Sequence, residues 1–326
     1  MSQVNLQERA YASDRRMSAP RVAFTAGQRV PHVNGPLPFR LRSLVRAMRP
    51  HQWAKNVLVF VPLAASHQFA RIDLWFAATA TFVVFCLAAS AIYLLNDILD
   101  LEADRAHPRK RTRPFAAGEL SIPFGIAAAL TLLASAMLVA LFATSLQLAA
   151  VVLGYVFATM TYSLALKRRP VADVFALTGL YVLRILAGGV ATGIILSSWL
   201  LGFALFFFLS LAFVKRYSEV AASEGWIAGR AYCHDDAMWM HAVGTSVGYM
   251  AVLVLALYVN APDTAGLYTR PTVLWLLCPL LLFWVTRLWF RAGRRVVHDD
   301  PVVETLRDTA SWTTAAAALG ILLAAL

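Results

Sequence analysis

Nine apolar runs alternate with short polar connectors along this chain, at about 55–70, 74–96, 122–142, 146–166, 171–193, 198–215, 238–260, 272–290 and 309–326. Most reach the roughly 20 residues that an α-helix needs to cross a hydrocarbon layer, and the first and last are shorter. Inside lipid, each backbone N–H and C=O must be satisfied within its own segment, which a helix achieves. The pattern predicts an all-α fold, a polytopic membrane protein of about nine transmembrane helices. Residues 1–39 are polar, rich in Arg and broken by Pro20, Pro31, Pro36 and Pro38, which predicts a disordered basic arm. Arg40 to Trp53 reads as a short amphipathic helix at the interface, with Leu41, Leu44, Val45 and Met48 on one side. Residues 40–326 then form one transmembrane domain.

Charge placement orients these runs. With the N-terminus in the cytoplasm, segments 1–55, 97–121, 167–170, 215–237 and 287–308 hold 26 of the 29 Lys and Arg. The outer loops keep only Arg71 and Arg270, and Arg184 lies within a run. By the positive-inside rule this predicts N-in and C-out. Only 14% of residues are charged and 60% are hydrophobic, with mean hydropathy +0.64, which excludes an ordinary soluble domain. The net charge of +11 then reflects cytoplasmic loops and anionic lipid, not nucleic acid. Cys86, Cys233 and Cys278 are too far apart to suggest a disulfide framework or a zinc site. No Walker loop or dinucleotide fingerprint occurs.

The connector after the second run changes the picture. Asp97, Asp100 and Asp104 recur at three- and four-residue spacing, which puts them on one face of a helical end. Like charges there repel unless a cation binds them, and hard oxygen ligands suit Mg²⁺, which commonly bridges to substrate phosphates. Arg109, Lys110, Arg111 and Arg113 follow at once and suit the remaining phosphate charge. A diphosphate–Mg²⁺ site at one water interface is the first reading.

Other polar residues gather at the same predicted face. Gln52, Lys55 and Asn56 precede or open the first run, Tyr162 and Lys167 close the fourth, and Lys215, Arg216 and Glu219 end the sixth. Snorkelling and topology signals explain such cations without chemistry; contact with substrate phosphates is the functional alternative, with Glu219 on a metal or hydroxyl. Asp173 opens the fifth run, either as a charge favoured by the helix dipole or as a second metal or ribose contact. Arg184 lies eleven residues into that run, about 16 Å along its axis. An ionisable residue at such depth usually faces a polar cavity, with a structural pairing as the other reading.

Nine helices with an Asn96-Asp97-x-x-Asp100-x-x-x-Asp104 loop after the second resemble the UbiA superfamily of intramembrane prenyltransferases, over about 50–326. The resemblance implies helices around a central cavity, with Mg²⁺ holding a diphosphate at its cytoplasmic mouth. Most members carry a second Asp-rich motif after the sixth helix, where this chain reads Lys215-Arg216-Tyr217-Ser218-Glu219. Arg49-Pro50-x-Gln52-Trp53-x-Lys55-Asn56, the stretch Asp104-Arg105-x-His107-Pro108-x-Lys110-x-x-Arg113-Pro114, and Lys215-Arg216 resemble the decaprenyl-phosphate phosphoribosyltransferase branch. That branch implies transfer of 5-phosphoribose from phosphoribosyl diphosphate to a polyprenyl phosphate in a bacterial plasma membrane, for envelope polysaccharide. Asp97, Asp100 and Asp104 would bind Mg²⁺, with Arg184 beside them in the catalytic set. Gln52, Lys55, Asn56, Asn96, His107, Lys110, Arg113, Tyr162, Lys167, Asp173, Lys215, Arg216 and Glu219 would bind substrate. More phosphates on donor and acceptor favour cations over extra carboxylates. Two rivals predict different chemistry: prenyl transfer to an aromatic acceptor, or a transporter or lipid-binding protein without catalysis.

Overall fold

A computed structural model describes residues 37–223, 225–227, 230–262, 266–294 and 301–326. All described regular structure is helical. The arm expected over 1–39 lies almost wholly outside the described residues.

Among the described residues, seven helices are long and apolar enough to cross a membrane. In chain order the helices are α1 (Leu37–Met48), α2 (Val61–Ala65), α3 (Ile72–Leu99), α4 (Leu101–Ala106), α5 (Ile122–Ala143), α6 (Leu146–Leu164), α7 (Ala172–Thr192), α8 (Ser198–Ala221), α9 (Asp236–Val259), α10 (Leu277–Gly293), α11 (Pro301–Arg307) and α12 (Thr309–Ala325). The last expected span is the shorter apolar helix α12.

The first expected span takes another form. Pro50–Phe60 is an 11-residue 3₁₀ helix, and the five-residue α2 continues it. A 3₁₀ helix rises about 2.0 Å per residue against 1.5 Å for an α-helix, so the two pieces together reach about 30 Å. The part beyond Lys55, Asn56 to Ala65, covers only about 18 Å of this, less than the thickness of a hydrocarbon core. The interfacial helix also differs from its expected limits: α1 ends at Met48, and Pro50 starts the 3₁₀ segment. Proline lacks the N–H that would extend α1 and is favoured at a helical first turn. Ala47 and Ser43 of α1 face inward, while Leu41 and Val45 stay exposed on its other side.

The helices pack mostly with sequence neighbours: α3 with α5, α6 with α7, α7 with α8, α8 with α9, α9 with α10 and α10 with α12. The 3₁₀ helix lies against α3 and α7, and α11 touches both it and α8. Helix association in lipid depends on close packing and hydrogen bonds more than on hydrophobicity. Two glycines show this. A Cβ at Gly244 of α9 would collide with the Trp289 indole of α10. Beside it, the Ser210 hydroxyl accepts from Trp289 Nε1 at 3.0 Å and donates to the Gly244 carbonyl at 2.8 Å. A Cβ at Gly188 of α7 would strike the Val59 carbonyl, so this glycine lets the 3₁₀ backbone lie directly on α7.

Candidate functional site

The last turn of α3 carries Asp97, and the helix closes at Asp100, whose N–H donates to the Asn96 carbonyl at 2.9 Å. The chain turns there and restarts as α4, where the Asp104 N–H donates to the Asp100 carbonyl at 2.8 Å. That turn splits the three acids. Asp97 and Asp104 are buried and converge on one guanidinium: Arg113 Nη1 donates to Asp97 Oδ1 at 3.2 Å and to Asp104 Oδ2 at 2.5 Å. Arg49 Nη2 donates to the same Asp97 Oδ1 at 2.5 Å. Asp100 is 45% exposed and has its oxygens 3.4 Å from Lys167 Nζ. Among the described residues, no group of three or more His, Cys, Asp or Glu is close enough to hold a metal.

Arg49 has left-handed backbone angles (φ 55°, ψ 61°), uncommon away from glycine. It occupies the kink between α1 and the 3₁₀ helix, and its guanidinium lies 5.1 Å from the centroid of the Tyr93 ring. One turn back, Arg46 and Ser43 both donate to the Glu119 carboxylate, the serine at 2.6 Å. These bonds hold the Glu119 carboxyl below its ordinary value against the opposing effect of desolvation. The start of α5 and the Asp-rich connector are thereby tied to the interfacial helix.

The 3₁₀ period of three aligns its side chains in straight rows. Trp53, Asn56 and Val59 form one row. Trp53 Nε1 donates to Ser90 Oγ at 3.1 Å and Asn56 Nδ2 to Cys86 Sγ at 3.3 Å, while Val59 lies under Gly188. Gln52, Lys55 and Leu58 form the next row. Lys55 Nζ is 6.0 Å from the centroid of the Tyr181 ring, and Leu58 packs into the core around α8.

Arg184 is buried. Its Nε donates to Asn56 Oδ1 at 2.9 Å and its Nη2 to the Tyr155 hydroxyl at 3.0 Å, while Nη1 donates to the Leu180 carbonyl. Its Cζ lies 4.9 Å from the Tyr155 ring centroid, 5.9 Å from Tyr181 and 6.0 Å from Phe85. These partners are neutral. The arginine joins the 3₁₀ helix to α6 and α7, and its charge is met by dipoles and ring faces.

A second charged cluster joins the ends of α7 and α8. Asp173 and Arg216 have fully buried side chains, with Arg216 Nε 2.7 Å from Asp173 Oδ2. Their geometry is that of an ion pair without an aligned hydrogen bond, and among the described residues Arg216 Nη2 has no hydrogen-bond partner. Arg216 Nη1 also pairs with Glu219, and Arg230 Nε is 3.1 Å from Glu219 Oε2. The Tyr232 hydroxyl donates to Asp173 Oδ1 at 2.7 Å and accepts from the Val171 N–H at 2.6 Å. Burial and the Asp173 carboxylate push the Tyr232 phenol well above its ordinary value. Val171 has φ 65° and ψ −51°, a strained setting for a β-branched residue. The Tyr232 hydroxyl holds it there.

The expected site residues therefore divide. Asp97, Asp104 and Arg113 meet, Asp100 meets Lys167, and Asp173, Arg216 and Glu219 meet around Arg230. Arg230 also brings Tyr162 into this cluster, with Nη1 3.5 Å from its hydroxyl. Arg216 and Asp173 are enclosed by protein, and Asn56 acts on Arg184 and Cys86. His107 shapes its own loop: its Nδ1 accepts the N–H groups of Arg109 and Lys110 at 3.2 and 3.4 Å. Lys110 is exposed on the following turn, and Lys215 and Gln52 are part-exposed. Sequence reasoning gave no role to Arg49, Tyr93, Tyr155, Arg230 or Tyr232. Only Arg49 carried a signal, as a cation directly before Pro50.

The sequence model of the UbiA prenyltransferase family matches residues 57–300. This chain belongs to the UbiA prenyltransferase family. Among curated proteins it is 38% identical over 272 residues to the uncharacterized protein y4nM of Sinorhizobium fredii, covering 81% of this chain and 52% of that one. It is 34% identical to nodulation protein NoeC of Azorhizobium caulinodans, covering 81% of this chain and 87% of that protein. It is 44% identical over 188 residues to decaprenyl-phosphate phosphoribosyltransferase of Corynebacterium glutamicum, covering 56% of this chain and 55% of the relative. This UbiA chain thus spans about half the length of two of these relatives. The UbiA homolog of Archaeoglobus fulgidus, solved with GPP and Mg²⁺, superposes with TM-score 0.64 over 86% of this chain and 99% of that one, at 16% identity.

Proposed function

We propose that this UbiA-family membrane transferase moves 5-phosphoribose from phosphoribosyl diphosphate to a polyprenyl phosphate, releasing pyrophosphate, at the cytoplasmic face of a bacterial plasma membrane. The observation that carries the reading is the second charged cluster. Where the resemblance leads one to expect another acidic metal motif, Asp173 and Glu219 are instead committed to Arg216 and Arg230. Asp97 and Asp104 are held by arginines as well, but Arg49 and Arg113 are about one-quarter exposed where Arg216 is fully buried, so this one carboxylate pair would be the one to face a metal, amid many cations. That balance suits a donor with a diphosphate and a 5-phosphate meeting an anionic acceptor. The names of the decaprenyl-phosphate phosphoribosyltransferase relatives support the same reading.

The donor set fits Mg²⁺. Asp97 and Asp104 offer hard oxygens already drawn toward one cationic nitrogen, the ligand chemistry that ion prefers. When bound, it neutralises the leaving pyrophosphate. Arg113 and Arg49 lie within reach of the same phosphates, and Lys167 and Lys55 extend the cationic surface. The bond from ribose C1 to the diphosphate oxygen breaks as C1 bonds to an oxygen of the lipid phosphate on the opposite face, with inversion. The acceptor is ionised at neutral pH, so no protein base is needed. Alignment and fixed charges carry the rate enhancement. Arg184 keeps Asn56 and the 3₁₀ helix in place.

The test uses purified protein, polyprenyl phosphate, Mg²⁺ and labelled phosphoribosyl diphosphate. Label is expected in the organic phase, lost with a chelator and in Asp97→Asn. No label, together with transfer from a prenyl diphosphate to an aromatic acid, would replace this reading with prenyl transfer.

A further inference from the structure

We propose that Arg230 and Tyr232 are positioning residues: from the connector between α8 and α9 they grip the connector between α6 and α7 at both its ends, and so aim Lys167. Lys167 is a contact for substrate phosphate on the reading above, on which this proposal rests in that respect.

The gripped connector is short and stiff. It runs from Ala165, after α6, to Val171, before α7, and contains a 3₁₀ turn at Leu166–Arg168. The Arg169 N–H donates to the Leu166 carbonyl at 2.9 Å. Pro170 fixes its own φ and restricts Arg169 before it. A segment of this kind moves as a unit, so its two ends decide where its middle stands. Lys167 is in that middle, with Nζ 3.4 Å from both Asp100 oxygens.

Both ends are held by residues two positions apart. At the α6 end, Arg230 Nη1 is 3.5 Å from the Tyr162 hydroxyl. At the α7 end, the Tyr232 hydroxyl accepts the Val171 N–H at 2.6 Å, from 61 positions away. Val171 makes no side-chain cap for α7, and an acceptor for an N–H at a helix start usually comes from the local sequence. The gripping segment is itself closed. Ile227 N–H donates to the Tyr232 carbonyl at 3.0 Å and Arg230 N–H to the Ile227 carbonyl at 3.1 Å. Glu219 ties it to α8 through Arg230 Nε at 3.1 Å.

Anchoring the buried Asp173 accounts for one bond only, the one Tyr232 donates to Asp173 Oδ1. It does not account for the contacts to Tyr162 and Val171, or for a valine kept at φ 65°. Strained backbone persists where its surroundings over-determine it, and such residues cluster at functional sites. This one stands four positions after Lys167.

The test reads the contact between Lys167 and Asp100 in the full chain, purified in detergent. A water-soluble carbodiimide activates the Asp100 carboxyl, Lys167 Nζ attacks it, an amide forms and the reagent leaves as its urea. Mass spectrometry of the digest measures that amide. Tyr232→Phe and Arg230→Gln should each lower its yield at least about threefold, well below their melting temperatures, the effect of losing about one net hydrogen bond. Asp308→Asn, which loosens the contact to Arg287 instead, should leave the yield unchanged and so separates aim from general destabilisation. With labelled phosphoribosyl diphosphate as donor, Tyr232→Phe should raise its KM at least about threefold. The same change should add nothing in a Lys167→Met chain, because two changes that act through one contact are not additive. An unchanged amide yield in whichever of the two variants folds, or no amide in the parent chain, would overturn the grip. A lower yield with equal effects on KM in the presence and absence of Lys167 would overturn its role in holding phosphate. A lower yield with no turnover of phosphoribosyl diphosphate by any form would support the grip and remove the donor reading alone.

Discussion

Replacing Gly188 by Ala tests whether the contact between α7 and the 3₁₀ helix is as close as described. The new methyl would strike the Val59 carbonyl oxygen, and would lie 2.9 Å from its carbon and 3.1 Å from its Cα. Ordinary carbon–oxygen contacts begin at roughly 3.3 Å. The obstacle is backbone, so no side-chain rotation relieves it, and the 3₁₀ segment must withdraw by roughly an ångström. Overpacking of this kind costs about 1–3 kcal/mol, a fall in Tm of about 2–6 °C for a chain of this size. Gly179, on the same helix, has open space where a methyl would sit, with nothing within 4 Å; Gly179→Ala should be neutral or gain up to about 1 kcal/mol. A thiol-reactive dye reports unfolding directly, because Cys86 and Cys278 are buried free thiols. Asn56 lies on the displaced segment and donates to Cys86 while accepting from Arg184, so Gly188→Ala should also lose transferase activity. Equal melting of the two variants would refute the close contact and the route from Gly188 to Asn56.

Two further changes have definite expected outcomes. Tyr232→Phe leaves the Val171 N–H and Asp173 Oδ1 without their shared hydroxyl, at a cost of about 2–4 kcal/mol for two buried polar groups; an unchanged melting temperature in the dye assay would argue against that clasp. Asp308, paired with Arg287 and Arg291, is held down from 3.8 to about 2 by those arginines and by Ser311. A depressed carboxylate stabilises fully above its unfolded value and loses that contribution as pH falls, so about 1–2 kcal/mol should disappear between about pH 4 and pH 2. Asp308→Asn should flatten this part of the melting curve against pH, and a variant with the same slope as the parent would exclude Asp308 as its source.

The seven described helices long and apolar enough to cross a membrane were legible because lipid demands long apolar stretches, and their connectors because charges are costly in lipid. The first run was harder to read: it folds as a 3₁₀ helix continued by a short α-helix, and composition does not announce that geometry. The three aspartates kept helical spacing in the sequence, but α3 ends at Leu99 and the intervening turn sends Asp100 to Lys167. Arg184 stood out through its cost in an apolar run, yet its partners Tyr155 and Asn56 come from distant segments that spacing cannot link. Arg216 read as a topology signal or a phosphate ligand at the end of the sixth run; its burial against Asp173, 43 positions away, is decided by how α7 meets α8. Local pattern specifies elements, whereas the identity of a charged partner depends on tertiary packing.

The 3₁₀ geometry also governs which changes of length the first segment can tolerate. With three residues per turn, its side chains follow a three-tooth ratchet. Deleting one residue between Trp53 and Val59 would turn the downstream part by about a third of a circle, exchanging the row under Gly188 for its neighbour. Deleting three would restore every face and shorten the segment by about 6 Å, drawing α2 away from its contacts with α3 and α7. Length and facing are therefore locked together here, and substitution, not insertion or deletion, is the route by which this segment can change.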